Sequence, residues 1–230
     1  MQNVLITGAN RGLGLEFTKQ YSEAGCKVIA CCRNPESAER LQALALFSKG
    51  QIQIIGLNVS VIDEIKELGL RLKDTHIDIL INNAGSFGGK QTLAEIDYQS
   101  WSETLKTNTF APVAIAQALK ENLIAGSRKL IVNITSKMGS IDDNKSGSYY
   151  IYRSSKVALN MVTKSLAVDL QKEGITVIAI HPGWVKTDMG GKGASIQADE
   201  SIQGMRKVIE DVCLADSGQF LDFKGQVIEW

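Results

Sequence analysis

Asn3-Val4-Leu5-Ile6-Thr7-Gly8-Ala9-Asn10-Arg11-Gly12-Leu13-Gly14 decides how the chain is read. An apolar run rich in branched side chains reads as a strand, and the glycines after it read as a tight turn opening a helix. Glycines here let backbone N–H groups approach a pyrophosphate at the helix N-terminus. The spacing is T-G-x-x-x-G-x-G, not G-x-G-x-x-G. Gly8, Asn10, Arg11, Gly12, Leu13 and Gly14 are therefore candidate dinucleotide contacts.

Outward from this unit the pattern repeats. Strand-like runs at 3–7, 27–32, 52–58, 77–82, 129–135 and 176–180 alternate with helix-like stretches at 12–24, 35–47, 61–73 and 98–120. A further helix carries Tyr152 and Lys156 and ends near Gly174, and Gln226–Trp230 is the seventh expected strand. Short, continuous Ile/Val-rich runs fit strands covered on both faces. The expectation is a doubly wound α/β fold: a parallel seven-stranded, Rossmann-type sheet with helices on both faces. No linker or repeat divides the chain, so residues 1–230 are expected to form one domain. Residues 183–200 carry Gly183, Gly190, Gly191 and Gly193 and are expected to be a mobile substrate loop.

Composition narrows the function classes. Among 230 residues, 25 Lys+Arg balance 25 Asp+Glu, so no basic excess suits a nucleic-acid backbone. No run of eighteen apolar residues predicts a membrane span, and the first ten residues lack a signal-peptide pattern. The expected location is the cytoplasm. Cys26, Cys31, Cys32 and Cys213 fit no zinc spacing and read as small hydrophobes. Two histidines and no evident carboxylate partner make a Ser-His-Asp hydrolase a poor reading.

Tyr152 and Lys156 stand four apart, on one helix face. A nearby ammonium favours the phenolate and lowers a tyrosine pKa. After the second strand, the acid that often binds a ribose 2′-hydroxyl is replaced by Cys32-Arg33. Arg33 and Arg11 suit a 2′-phosphate, predicting NADP(H) preferred, with NAD(H) as the other possible cofactor.

Together the glycine turn, Asn82-Asn83-Ala84-Gly85, Asn108, Ser136 and Tyr152…Lys156 resemble the short-chain dehydrogenase/reductase family in its single-domain form. Asp143–Tyr150 and the terminal Gly218-Gln219-Phe220…Gly225…Trp230 resemble its C-factor/sniffer-type carbonyl reductase branch. The resemblance implies that Tyr152 is the general acid/base, that Ser136 bonds the substrate oxygen and that Lys156 binds the nicotinamide ribose. It implies that Asn108 holds a relay water and that Asn83, Ala84 and Gly85 line the cofactor ribose. Pro182 and Gly183 would support the nicotinamide, with Val185 and Thr187 on its carboxamide. Where the family has Asp-Val at the adenine, this chain has Asn58-Val59, whose amide oxygen is expected to keep that contact.

The expected reaction is reduction of a small apolar or aromatic carbonyl compound, without nucleic-acid or membrane partners and in a homodimer or homotetramer. The alternative is a C-factor-like signalling or NADP(H)-sensing protein. Pocket walls are expected from Met138, Ser140–Tyr150, Ser86-Phe87-Gly88 and 183–200, with no arginine placed to anchor an anion.

Overall fold

A computed structural model describes residues 1–230. The chain runs β1 (Asn3–Thr7), α1 (Gly12–Glu23), β2 (Lys27–Cys32), α2 (Glu39–Phe47), β3 (Ile52–Gly56), α3 (Ile62–Arg71) and β4 (Ile79–Asn82). A small hairpin, β5 (Gln91–Thr92) and β6 (Glu95–Ile96), leads to α4 (Tyr98–Leu105), α5 (Ala111–Ala118) and α6 (Lys120–Ile124). Then come β7 (Leu130–Ile134), α7 (Tyr150–Asp169), β8 (Thr176–His181), α8 (Ala198–Asp211) and β9 (Phe220–Asp222).

Seven strands form one sheet in the order β3-β2-β1-β4-β7-β8-β9, and every pair is parallel. Alternate side chains of each strand feed opposite faces. Val4 and Ile6 pack with Leu15, Phe17, Leu41, Ile202 and Met205, from α1, α2 and α8. Leu5, between them, packs with Ile65, Leu68, Ile115 and Ala167, from α3, α5 and α7. Each fully buried Leu or Ile contributes roughly 1.5–3 kcal/mol relative to an exposed one. Both strand faces are covered, which explains why the strands read as unbroken apolar runs.

Several elements differ from the sequence reading. The seventh strand is Phe220–Asp222, not 226–230. Phe220 is 1% exposed and takes the sheet position, whereas Val227 is 66% exposed. The chain turns back at Gly225, and 226–228 pairs antiparallel with β9 through Asp222 N–H to Gln226 O and Ile228 N–H to Phe220 O, both 2.8 Å. The helix expected over 98–120 is α4, a π turn at Lys106–Phe110, and α5. The 35–47 stretch opens as a 3₁₀ turn at Pro35–Ser37 before α2. Helix α8 was not expected; its buried stripe (Ile202, Met205, Val208, Ile209) follows the glycine-rich loop. Cys26, Cys31 and Cys32 are buried free thiols, and Cys213 is exposed. No helix is long and apolar enough to cross a membrane.

Candidate active site

Strand order reverses between β1 and β4, which opens a crevice at their carboxyl ends. The glycine turn leaves β1 there, and Asn82-Asn83-Ala84-Gly85 leaves β4. The two are laced together. Thr7 Oγ1 accepts from the N–H groups of Asn83 and Ala84, both at 3.0 Å. Asn83 Nδ2 donates to Thr7 O at 2.8 Å and Gly8 O at 3.2 Å. A Cβ on Gly14 would overlap the Gly8 carbonyl, so only glycine lets helix α1 start this close to the turn. Helix α1 has no side-chain cap and no acid in its first turn. Its first N–H groups are thus free of protein partners from the cap side, as an anion site requires.

The π turn at Lys106–Phe110 carries Asn108, which is 1% exposed. Its Oδ1 accepts from Ser86 N–H at 2.8 Å, and its Nδ2 donates to Ser86 O at 2.8 Å and Ser155 Oγ at 2.9 Å. The side chain thereby stitches the segment after β4 to helix α7. Both of its N–H bonds are committed to protein.

Helix α7 presents Tyr152 and Lys156 one turn apart, 8% and 5% exposed. Ser136 follows β7 and is likewise buried; its Oγ accepts from Met138 N–H at 3.1 Å. Neighbouring Thr135 turns away and bonds Asn160 Oδ1 at 2.7 Å. The 3₁₀ turn Lys137–Gly139 lies flat on α7, because a Cβ on Gly139 would sit 2.9 Å from Lys156 Cβ. Lys156 Nζ donates to Ile134 O at 2.9 Å and lies 5.7 Å from the Tyr152 ring centroid.

Electrostatics here differ from the simple expectation. Burial pushes the Tyr152 phenol up to about 12, while the hydrogen-bonded Ser136 hydroxyl draws it part of the way down. Burial also lowers the Lys156 ammonium to about 8. Desolvation outweighs the Ser136 hydrogen bond, so the phenol holds its proton at neutral pH. A buried phenol beside a serine hydroxyl is an arrangement that can donate a proton to a bound oxygen.

The remaining predicted residues are spread from β3 to β8 along the carboxyl edge of the sheet. Arg33 is exposed beyond the carboxyl end of β2, beside β1 and remote from Tyr152 in the sheet order. Arg11 instead pairs with Asp188, Nη1 to Oδ2 at 2.9 Å, with both side chains largely exposed. Asn58 and Val59 follow β3, and Val59 lines a small crevice with Thr7 and Ala84. The Asn58 oxygen expected to face a ligand is engaged by Ser60, from its N–H at 3.2 Å and its Oγ at 2.8 Å. Pro182 and Gly183 follow β8; Ser201 Oγ donates to Pro182 O at 2.6 Å. Val185 is buried and bridged to Ile196, which ties off the neck of the 183–200 loop. Thr187 faces the turn at Gly12, 3.5 Å from where a Cβ would stand.

The sequence profile of the short chain dehydrogenases matches residues 2–197. The chain belongs to the short-chain dehydrogenase family. This oxidoreductase is similar to the NADPH-bound carbonyl reductase from chicken fatty liver, with 37% identity and a TM-score of 0.93 over 100% of this chain and 99% of that one. It is similar also to carbonyl reductase Sniffer of D. melanogaster, with 34% identity and a TM-score of 0.93 over the whole of both chains. C-signal of Myxococcus xanthus is 40% identical over 154 residues, 67% of this chain and 93% of that protein.

Phe87 and the Ser140–Tyr150 loop were expected as pocket walls, but three contacts of this short-chain dehydrogenase were not legible in the sequence. Gln91 reaches the N-terminus of α7, accepting from Tyr152 N–H at 2.9 Å. Phe87 packs on Tyr152, ring centroids 4.8 Å apart, and meets Tyr149 edge-on at 5.9 Å. Arg153 extends into the loop before α7, where Nη2 donates to Ser146 Oγ at 2.9 Å. None follows a local pattern; Gln91 and Tyr152 are 61 residues apart.

Proposed function

We propose that this short-chain dehydrogenase reduces an aldehyde or ketone to an alcohol with NADPH. The observation that carries the reading is the convergence of the Tyr152 phenol, Ser136 and Lys156 at the carboxyl end of β7, beside the laced glycine turn. When bound, the reduced nicotinamide supplies a hydride to the carbonyl carbon. Tyr152 gives its phenolic proton to the carbonyl oxygen, and Ser136 donates a hydrogen bond to that oxygen as negative charge develops on it.

Lys156 binds the nicotinamide ribose and, as an ammonium, makes the tyrosinate easier to form. The Asn108 side chain is already saturated on its donor side, so a relay water would be held by its main-chain carbonyl. The π turn supports this, since an extra residue in a helical turn disrupts the regular i→i−4 ladder. Gly8, Asn10, Gly12, Leu13 and Gly14 would hold the pyrophosphate end, and Asn83, Ala84 and Gly85 the ribose. Pro182, Gly183, Val185 and Thr187 would flank the nicotinamide. Asn58 would meet the adenine through Nδ2, its oxygen being taken by Ser60. Arg33, which carries no ion pair, and Arg11, which trades Asp188, would bind the 2′-phosphate and favour NADPH over NADH.

Phe87, Tyr149, Met138 and Trp184 supply an apolar, aromatic wall that suits an aromatic or other apolar carbonyl substrate. Exposed apolar side chains on α4 and α7 (Tyr98, Met161 and Val168) and in the π turn (Phe110) suit a homodimer or homotetramer. A second reading, a signalling or NADP(H)-sensing protein with weak turnover, is favoured by the likeness to C-signal.

The test is NADPH oxidation against a panel of aldehydes, ketones and quinones, with Tyr152→Phe as control. Turnover in the wild type and a 10²–10⁴-fold lower kcat in the variant are expected. NADPH binding with equal inactivity of both proteins across the panel would favour the signalling reading.

A further inference from the structure

Helix α7 begins without a cap of its own. Its N-cap residue, Tyr149, is left-handed (φ 54°, ψ 38°) and places no side-chain acceptor on the helix. The preceding Ser148 is left-handed too, at φ 56°. The first N–H groups of a helix have no intrahelical partner, and burying one unpaired is costly. Tyr152 N–H is one of these, in the first turn, on the residue whose hydroxyl is at the centre of the site.

Its partner comes from elsewhere in the chain. Gln91, 6% exposed in hairpin strand β5, accepts from Tyr152 N–H through Oε1 at 2.9 Å. At the other end of the same amide, Nε2 donates to Phe87 O at 3.1 Å. The orientation is forced. Exchanging O and N would set an NH₂ against an N–H and a carbonyl against a carbonyl. One buried side chain thus spans from the start of α7 to the Phe87 segment, and the Phe87 ring lies on the Tyr152 ring. The fit is close. A Cβ on Gly88 would stand 2.6 Å from Ile151 Cγ2, so this segment rests directly on the first turn of α7.

We propose that Gln91 is a positioning residue for the reaction. It acts as a cap supplied from a distance: it holds the Tyr152 backbone, and with it the phenol, in register, and it hangs Phe87 as a wall against the reacting group. The inference rests on the reading of Tyr152 as the proton donor. It predicts that two different functions, proton delivery and substrate fit, depend on the two ends of one amide.

Gln91→Met keeps the length and loses both bonds; Gln91→Glu, which burial keeps protonated, retains an acceptor for Tyr152 N–H and offers its O–H to Phe87 O. Amide hydrogen exchange at Tyr152, kcat, and KM for carbonyl substrate and for NADPH are measured for each. Gln91→Met should exchange the Tyr152 amide at least about 10-fold faster and lower kcat about 10-fold. Its KM for the carbonyl substrate should rise, and its KM for NADPH should stay within about twofold. Gln91→Glu should restore the protection and most of kcat. Should Gln91→Met not fold, Gln91→Asn, one methylene too short to span both partners, takes its place with the same expectation. Wild-type exchange in the disrupting variant overturns the proposal. So does faster exchange with unchanged kcat, which would make Gln91 a structural cap only, or failure of Gln91→Glu to restore either quantity. A wild-type protein that turns over no carbonyl would defeat the functional reading instead, while exchange at Tyr152 would still report whether the bond exists.

Discussion

Lys156 Nζ lies 5.7 Å from the centroid of the Tyr152 ring and spends a hydrogen bond on the Ile134 carbonyl at 2.9 Å. Both groups are buried, and burial moves their pKa values in opposite directions, the phenol up to about 12 and the ammonium down to about 8. Each neutral form is favoured by the same low-dielectric surroundings.

The lysine therefore costs stability. Its folded pKa lies below its usual 10.5, so the penalty is present in full below pH 8 and is relieved as pH rises from 8 to 10.5. The full effect is on the order of 3 kcal/mol, against roughly 1–3 kcal/mol for leaving the buried Ile134 carbonyl without this donor. Lys156→Met is expected to be more stable at pH 7 and inactive or nearly so. Chemical denaturation at pH 7 and pH 10 checks it. The gap between variant and wild type should narrow at the higher pH, and a variant less stable than wild type at pH 7 would contradict the burial argument.

His181 ends β8 with its Nδ1 buried and unpartnered, and burial lowers its pKa to about 4. The unfolded chain takes up a proton near pH 6.5, the folded chain only near 4. Stability is complete above 6.5 and declines as pH falls through that window, by roughly 2–3 kcal/mol. His181→Gln should flatten this limb. Urea midpoints of both proteins between pH 7 and 4.5 give the comparison, and parallel curves would remove His181 as the cause.

Arg33 and Arg11 should contribute unequally to cofactor choice. Removing an arginine from a phosphate contact loses a strong charge-assisted bond. Arg33→Ala is expected to raise the Kd for NADPH about 10-fold and leave that for NADH unchanged. Arg11→Ala should cost less, because Arg11 gives up its exposed pair with Asp188, itself worth at most about 1 kcal/mol. Fluorescence titration with both reduced cofactors, repeated at high salt, tests the order.

Asn108→Ala should damage the fold as well as turnover. It would orphan the Ser86 N–H and C=O and one bond of Ser155 Oγ, all within hydrogen-bond reach of that one side chain. Buried unsatisfied groups cost roughly 1–3 kcal/mol each, so a loss of about 2–4 kcal/mol is expected after partial relaxation. Thermal and urea unfolding measure it, and a change below 0.5 kcal/mol, roughly the size of an ordinary surface substitution, would refute the stitching role.

Much of the architecture was legible in the chain because it is local. Strand β1, the glycine turn and α1 are contiguous, and their apolar periods and glycines act within a few residues. The parallel sheet followed from runs of Ile and Val that only a doubly covered strand tolerates. The seventh strand was misplaced because 220–222 and 226–228 are both apolar enough to pair. Burial of Phe220 against the sheet, and not local pattern, decides between them. The π turn at Asn108 was equally hidden, since only the bonds to Ser86 and Ser155 mark the place where the regular helix gives way.

The sequence by itself determined the alternation of the first six sheet strands with helices, the glycine turn and the Tyr152–Lys156 spacing, because a helix or a tight turn follows from neighbours along the chain. Tertiary structure alone decided the rest. It buried Tyr152 so that desolvation, not the lysine, sets its acidity, paired Arg11 with Asp188, and brought Gln91 across 61 residues to the Tyr152 amide. Burial and long-range hydrogen bonds depend on which surfaces meet, and that is written in the packing of the sheet and helices as a whole.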